Sequence, residues 1–254
     1  HRNGASSRKN NKDDAPIFYT ALYHCYLFPR EFSEYGKYYS AFDDKIHDGF
    51  SYNDYSLWDT FRAFHPLMTL IEPDLTSDWI TALLQMYKEG GWLPMWPNPS
   101  YTNIMIGTHA DAVIADAYMK GIRNYDIGLA YEALRKNAMV PPDCDTQRRY
   151  GDRDYWTSFE GASYYHSLGY VADDKTAESV SRTLEYAYDD WCVAQMAKDL
   201  GKTEDYNRLM QFSQNYRNQY NAEKGFFLPR NYDGSWIDLD DHSRHGLTEG
   251  SKWT

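Results

Sequence analysis

The sequence predicts an all-α fold in the form of a double-layered α/α toroid, interrupted by short β-hairpins. Apolar residues recur at helical spacing through most of the chain. Segments that are apolar on one face alternate with segments that are apolar nearly all round. A helix of the first kind lies at a surface, whereas one of the second kind is buried. Alternate helices are therefore predicted to form an outer and an inner ring, joined as about three and a half helical hairpins.

The elements follow from local patterns. Residues 1–15 show no apolar period and are predicted to be a tail or linker, so that the domain spans residues 16–254. Asp233-Gly234 between apolar runs predicts a β-hairpin in 225–238, and another is predicted between Tyr38 and Phe50. Helices are predicted at 16–28, 55–70, 76–88, 107–120, 126–138, 178–200 and 203–220, with a further helix beginning near residue 248.

The same patterns assign the helices to layers. The segment 76–88 is amphipathic and stops at Gly90-Gly91, whereas 107–120 is apolar nearly all round apart from Asp111 and Asp116. The helices that begin near residues 55, 107 and 178 are therefore predicted to be the inner, more buried members of their hairpins. A closed ring of six hairpins needs a longer chain, so the sequence is interpreted as part of a toroid.

Composition and motifs argue against several classes of function. The net charge is −11 and no basic run follows the first dozen residues, so no nucleic-acid partner is expected. No stretch approaches the ~20 apolar residues of a membrane span, and none is predicted. The sequence has no HExxH, paired CxxC or EF-hand motif, so no metal ligand is assigned. Serine-hydrolase and phosphate-loop motifs are also absent.

What remains is a set of carboxylates and aromatic residues in an acidic chain with 24 Tyr, 8 Trp and 11 Phe. Aromatic faces pack either in a core or against a sugar ring, and glycoside hydrolysis uses two carboxyl groups. In an α/α toroid the first turn of each inner helix, and the loop before it, face a common cleft. The candidate site residues at these positions are Trp58, Asp59, Trp96, Asn103, His109 and Glu249.

Each candidate also has a structural interpretation. Trp58 and Trp96 are equally compatible with packing in a core. Asp59 can pair with Arg62 at i,i+3 or favour the positive end of its helix. A histidine near a helix start, such as His109, is more often a hydrogen-bonded core residue than a functional one.

Two further acidic positions carry alternatives. Glu249 follows Thr248 and can act as a carboxylate in the first turn of a helix capped by that threonine. Glu185 and Asp189 form a like-charge pair at i,i+4. The acidic cluster around them is either a solvated patch or, as we favour, a set of buried hydrogen-bond acceptors.

Several segments together resemble the signatures of glycoside hydrolase family 92, in order and at similar spacing from about residue 16 to the end. No single segment is decisive. The segments are 18–24 (FYTALYH), 55–60 (YSLWDT), 90–94 (GGWLP), 113–118 (VIADAY), 179–191 (SVSRTLEYAYDDW) and 248–250 (TEG). In one departure, the chain continues Ser251-Lys252-Trp253 where the family usually has Asn-Ala-Trp.

The resemblance implies a calcium-dependent, inverting exo-α-mannosidase with an N-terminal β-sandwich and an (α/α)6 catalytic domain, of which this chain is the N-terminal part. It implies that Glu249 is the general acid and that Trp58 and Asp59 lie in the sugar-binding subsite. The base and most Ca2+ ligands are expected outside this chain. The implied partners are mannose-containing glycans, the remainder of the catalytic domain and the β-sandwich. The implied location is secreted, periplasmic or at the cell surface.

Two other classes of function compete with the enzyme. The chain can be a non-catalytic carbohydrate-binding module that keeps the aromatic residues without a base. It can also be a helical-repeat interaction protein, which predicts a motif recurring at fixed length. The predicted inner helices begin at unequal intervals, which argues against the repeat.

Overall fold

The computed structural model describes residues 13–102, 104–142, 161–237 and 247. Predominantly helical structure is confirmed over these ranges. The α-helices are α1 (Asp14–Cys25), α2 (Leu57–Thr60), α3 (Phe64–Ile71), α4 (Pro73–Gly90), α5 (Ala110–Met119), α6 (Ile127–Met139), α7 (Ala162–Leu168), α8 (Ser179–Asp199) and α9 (Thr203–Phe212), followed by a 3₁₀ turn at Asn215–Gln219.

The strands are short and pair as antiparallel ribbons. They are β1 (Arg30–Glu31), β2 (Lys37–Ser40), β3 (Lys45–Asp48), β4 (Tyr52–Asn53), β5 (Tyr220–Asn221) and β6 (Phe226–Phe227). β1 pairs with β4, β2 with β3 and β5 with β6. The hairpin predicted between Tyr38 and Phe50 is confirmed as β2–β3. Around Asp233-Gly234 the predicted hairpin is reduced to one antiparallel bridge between Arg230 and Trp236, and the β5–β6 ladder precedes it.

The helices pack as hairpins around one apolar core. α3 packs on α4, α5 on α6, and α8 on α9, while α8 also lies against α5. The core is built from residues of all these helices, including Met68, Ile80, Ile114, Leu134 and Met196. The hairpin arrangement agrees with the predicted toroid.

The burial of the helices confirms the layer assignment in two hairpins and corrects it in the first. α5 buries eight of its ten residues and α8 buries residues along its whole length, whereas α9 buries only Leu209. In the first hairpin the prediction is wrong. α4 buries nine of its 18 residues and α3 only three of eight, because Leu67, Leu70 and Ile71 of α3 are exposed.

The single helix predicted at 55–70 is also wrong, since the chain forms two helices, α2 and α3. Pro66 explains the break. Its ring excludes a helical carbonyl at residue 62, four positions earlier, so proline is tolerated only in the first turn of a helix. The chain accordingly leaves helical geometry at Ala63, with φ −140°, and α3 begins at Phe64.

Other boundaries differ for equally local reasons. α1 ends at Cys25 rather than residue 28, because Phe28 precedes Pro29 and a residue before proline avoids helical geometry. α9 ends at Phe212, and the rest of the predicted 203–220 helix tightens into the 3₁₀ turn. α7 was not predicted. The helix predicted near residue 248 and most of the predicted tail lie outside the described residues.

Candidate active site

Two cavities are candidates for a binding site. The first, of about 670 Å³, lies between α3, α5 and α8 and is lined by residues that include Phe61, Arg62 and Glu185. The second, of about 630 Å³, lies beside α1 and α2. Both volumes fall within the range of about 300–1,000 Å³ that is usual for small-molecule sites.

The break between α2 and α3 places Arg62 against two aromatic rings. Its guanidinium carbon lies 4.8 Å from the centre of the Trp58 ring and 4.6 Å from that of Phe61. The Phe61 ring stacks in turn on the imidazole of His109, with centroids 4.0 Å apart and planes 17° from parallel. Trp58 and His109 are thereby joined through two residues of the break.

A chain of polar groups runs from the first cavity into the core. Arg62 donates to Glu185 Oε1 at 3.0 Å. The other oxygen of Glu185 lies 3.6 Å from His109 Nε2, and His109 Nδ1 lies 2.9 Å from Asp189 Oδ1. Asp189 Oδ2 accepts the backbone N–H and the hydroxyl of Thr108, at 2.7 and 3.0 Å. His109 is therefore held between two carboxylates, one in the core and one at the cavity.

Space for the imidazole is provided by a glycine. A Cβ atom at Gly107 would lie 2.4 Å from His109 Nε2, and the φ of Gly107 is +81°, which side chains disfavour. Gly107 thus both turns the chain into α5 and leaves room for the ring.

The acidic cluster on α8 is confirmed as a set of buried hydrogen-bond acceptors rather than a solvated patch. Asp189 and Asp190 are both buried. Desolvation raises the pKa of Asp190 well above its ordinary value. The Tyr165 hydroxyl lies 2.6 Å from Asp190 Oδ2 and 2.8 Å from the Phe212 carbonyl. The Tyr165 hydroxyl is shared between the Asp190 carboxyl and the Phe212 carbonyl, so Asp190 acts as a buried acceptor.

Asp111 is a third buried carboxyl, on the α5 side of this interface. Its Oδ1 accepts from Asn137 Nδ2 at 3.1 Å. Desolvation, reinforced by the charge of Asp189, raises the pKa of Asp111 well above its ordinary value. A buried carboxyl of this kind is kept neutral because its ion would lose its hydration without gaining a counter-charge.

The second cavity contains Trp96. The half-buried indole lines it together with Ser56, Thr60 and Phe64. The cavity therefore reaches α2 and combines aromatic faces with hydroxyl groups.

The structure places the predicted site residues in different surroundings. Trp58 and His109 belong to one cluster, and Trp96 lines the second cavity. Asp59 is exposed and accepts a hydrogen bond from the Ser56 hydroxyl. Its predicted alternative partner, Arg62, pairs with Glu185. Asn103 and Glu249 lie outside the described residues, so the common cleft for all six residues stays a prediction.

His109 is 1% exposed, which matches its alternative interpretation as a hydrogen-bonded core histidine. The side chains that reach the cavity in its place are Arg62 and Glu185, which sequence reasoning did not select. The like-charge pair of Glu185 and Asp189 could have indicated them, since two carboxylates one helical turn apart need hydrogen-bond donors from elsewhere. The donors lie far away in sequence, as Arg62 and Glu185 are 123 positions apart.

Calcium has no site among these side chains. Within the described ranges, no group of three or more His, Cys, Asp or Glu residues is placed to hold a metal ion. No residue of the described ranges is therefore assigned as a calcium ligand.

Comparison with known proteins places these features in a family. The sequence profile of the glycosyl hydrolase family 92 catalytic domain matches residues 5–254. A curated protein of Arthroderma benhamiae, described as an uncharacterized secreted glycosidase, is 38% identical over 193 residues. That match covers 69% of this chain and 24% of the relative.

Two solved structures from Bacteroides thetaiotaomicron are also similar. One, a family 92 inverting mannosidase, has a TM-score of 0.83 and 38% identity over 93% of this chain and 32% of its own. The other, a family 92 α-mannosidase, has a TM-score of 0.82 and 34% identity over 92% of this chain and 30% of its own. These likenesses confirm the predicted fold class, part of an (α/α)6 toroid.

The chain thus spans about a quarter to a third of the length of these relatives. Among the helices of the described ranges, none has the length and apolar character to cross a membrane.

Proposed function

The chain belongs to glycosyl hydrolase family 92, and on that premise we propose that it is part of a calcium-dependent, inverting exo-α-mannosidase acting on terminal mannose of glycans. The observation that carries this proposal is the likeness to the inverting mannosidase, which extends over 93% of the chain at 38% identity. Identity spread over nearly the whole chain supports shared chemistry as well as shared fold.

In the proposed reaction Glu249 is the general acid. Its carboxyl gives a proton to the glycosidic oxygen, and the bond from that oxygen to the anomeric carbon breaks. A base carboxylate outside the described residues takes a proton from water, which attacks the anomeric carbon from the opposite face. The two carboxyl groups of inverting enzymes stand about 6.5–9.5 Å apart, which leaves room for the water.

The rest of the proposal concerns binding and location. Trp58, Asp59, Trp96 and Asn103 remain the proposed sugar-site residues, whereas the buried His109 supports the site through its contact with Glu185 and does not touch the sugar. The Ca2+ ligands are proposed to come mainly from outside this chain, as are the β-sandwich and the remainder of the catalytic domain. The secreted glycosidase among the relatives supports a location outside the cytoplasm.

Glu249→Gln in the complete enzyme tests the assignment of the acid. The amide keeps the shape of the side chain but has no acidic proton, so turnover of mannosides with a poor leaving group should fall by about 10²–10⁴-fold. An activated aryl mannoside, whose leaving group needs little protonation, should be affected far less. The measurement is kcat on both substrates.

An equal fall in kcat on both substrates would show that Glu249 is not the general acid. The 254-residue chain alone should hydrolyse neither substrate well, because the proposed base lies outside it. Robust activity from that chain would refute the location of the base, and an inactive complete protein that still binds mannosides would favour a non-catalytic sugar-binding module.

A further inference from the structure

We propose that Arg62 and Glu185 bind a pyranose ring of the glycan in the first cavity, between α3, α5 and α8. This inference rests on the proposed function, because it takes the ligand to be a sugar. It adds a binding subsite whose polar contacts come from Arg62 and Glu185, neither of which is among the six candidate residues predicted from the sequence.

The walls of the first cavity suit a sugar. Tyr188 and Trp191 of α8 line it with rings 6.5 Å apart and 21° from parallel. Both rings remain nearly half exposed, at 43% and 46%, although they lie on an inner helix. An aromatic face left open in this way can pack against the C–H face of a pyranose, since its body is apolar.

The polar end of the cavity offers both partners that a pair of sugar hydroxyls needs. The Arg62 guanidinium donates in a fixed fork, and the Glu185 carboxylate accepts. Behind Glu185 lies Nε2 of His109, 3.6 Å from Oε2 and within ion-pair distance, and the His109 ring is fixed on its other side by Asp189. His109 and Asp189 are thus positioning residues for Glu185, which explains why a buried histidine lies at the start of an inner helix.

A second observation points independently to a ligand in this cavity. His65 lines it, is 2% exposed, and has no hydrogen-bond partner for either ring nitrogen among the described residues. A buried polar group without a partner costs stability. A sugar hydroxyl is a suitable partner, because it can donate to one ring nitrogen or accept from the other.

The alternative is that Arg62 and Glu185 form only a surface ion pair between α8 and the residues preceding α3. The chain contains a closely matched pair for comparison, Arg135 and Asp205, at 2.8 Å between α6 and α9. The side-chain exposures are 48% and 18% for Arg62 and Glu185, and 49% and 17% for Arg135 and Asp205. The outer pair lines neither of the two cavities, so it has a similar distance and exposure without the proposed ligand.

The experiment is calorimetric titration with mannose, mannobiose and a panel of other hexoses and their disaccharides, using a complete enzyme that carries Glu249→Gln in every variant so that mannobiose is not hydrolysed during the measurement. Glu185→Gln should weaken mannobiose binding by about tenfold to a hundredfold, as expected for the loss of a hydrogen bond to a charged group. Asp205→Asn, the matched control, should change it by less than about twofold. Arg62→Gln repeats the test from an exposed residue, should Glu185→Gln fail to fold.

The outcomes separate this inference from the proposed function. If the enzyme cleaves α-mannosides while Glu185→Gln and Arg62→Gln bind mannobiose as the parent does, the subsite is wrong and the function stands. If only another sugar binds, and Glu185→Gln abolishes that binding, the subsite stands and the mannosidase is wrong. The subsite is overturned if Glu185→Gln and Asp205→Asn lose the same affinity for mannobiose. It is also overturned if the parent binds no sugar.

Discussion

Two helix interfaces of the same molecule treat polar groups in opposite ways. Where α5 meets α8, Asp189 accepts from Thr108 and contacts His109 with almost no access to solvent. Where α6 meets α9, Asp205 accepts from Tyr131 at 2.7 Å and Arg135 at 2.8 Å near the surface. The inner interface buries its charged group, and the outer interface keeps its charged groups partly hydrated.

The difference separates stability from function. Well-packed apolar residues often stabilise a fold at least as well as a buried ion pair, because burying charge is costly. The charged residues of the outer interface are accounted for by solubility and a small electrostatic gain. The inner interface needs another reason, and the proposed positioning of Glu185 beside a sugar supplies one.

The largest expected difference between the interfaces comes from removing their acceptors. Asp189→Ala leaves the donors of Thr108 and the His109 ring without a partner in the core, and should lower the free energy of unfolding by about 3–5 kcal/mol. Asp205→Ala should cost about 1 kcal/mol or less, because its donors remain accessible to water. Urea denaturation of the two variants beside the parent measures both values. Similar losses of unfolding free energy in the two variants would show that the two interfaces do not differ in how strongly they depend on their acceptors.

His65 of α3 sharpens the comparison, because it is a buried polar group with no hydrogen-bond partner among the described residues. His65→Leu should raise the free energy of unfolding at neutral pH by about 1–3 kcal/mol, since the cost of an unpartnered polar group is removed. Desolvation lowers the pKa of His65 to about 3, against about 6.5 for a free histidine. The same substitution should also weaken sugar binding in the first cavity.

The pH dependence gives a second measurement on this variant. Between about pH 6.5 and pH 3 the unfolded chain binds a proton that folded His65 does not. This group therefore removes about 1.4 kcal/mol of stability per unit of falling pH. The advantage of His65→Leu over the parent should grow as the pH falls through this window. A constant difference between the two denaturation curves across that range would contradict the assignment.

The smallest effect is expected at the outer interface. Tyr131→Phe removes one hydrogen bond to Asp205 but keeps the packed ring, and should cost about 0.5 kcal/mol, at the low end for a hydrogen bond that water can replace. Arg135 continues to pair with Asp205 in this variant. Thermal unfolding of parent and variant is sufficient to measure the change, and a loss as large as that of Asp189→Ala would remove the distinction between the layers.

Local patterns in the sequence were sufficient for most of the fold. The apolar character of 107–120 and 178–200 predicts the inner helices α5 and α8, and the Gly90-Gly91 pair predicts the end of α4. The break at residues 61–63 is also present in the sequence, because Pro66 excludes a continuous helix even though the apolar period runs through it.

The candidate site was less accessible to sequence reasoning. Trp58 and His109 were selected, but their connection depends on Arg62 and Phe61 turning out of the helix. The partner of Arg62 could not be predicted, because spacing along one helix offers only near neighbours such as Asp59, whereas Glu185 approaches through packing of another hairpin. Long-range contacts of this kind follow from the tertiary structure alone.

The adjacent residues Asp189 and Asp190 limit how α8 can change length in evolution. Asp189 faces Thr108 and His109, whereas Asp190 faces Tyr165 in α7. One inserted or deleted residue rotates the rest of a helix by about 100°, so it would turn both carboxyl groups away from their partners at once. An insertion or deletion between Glu185 and Asp189 would also move these two side chains, now one helical turn apart, onto different faces of α8. Length variation among homologues should therefore fall in the loops that flank α8 and spare the segment from Glu185 to Asp190.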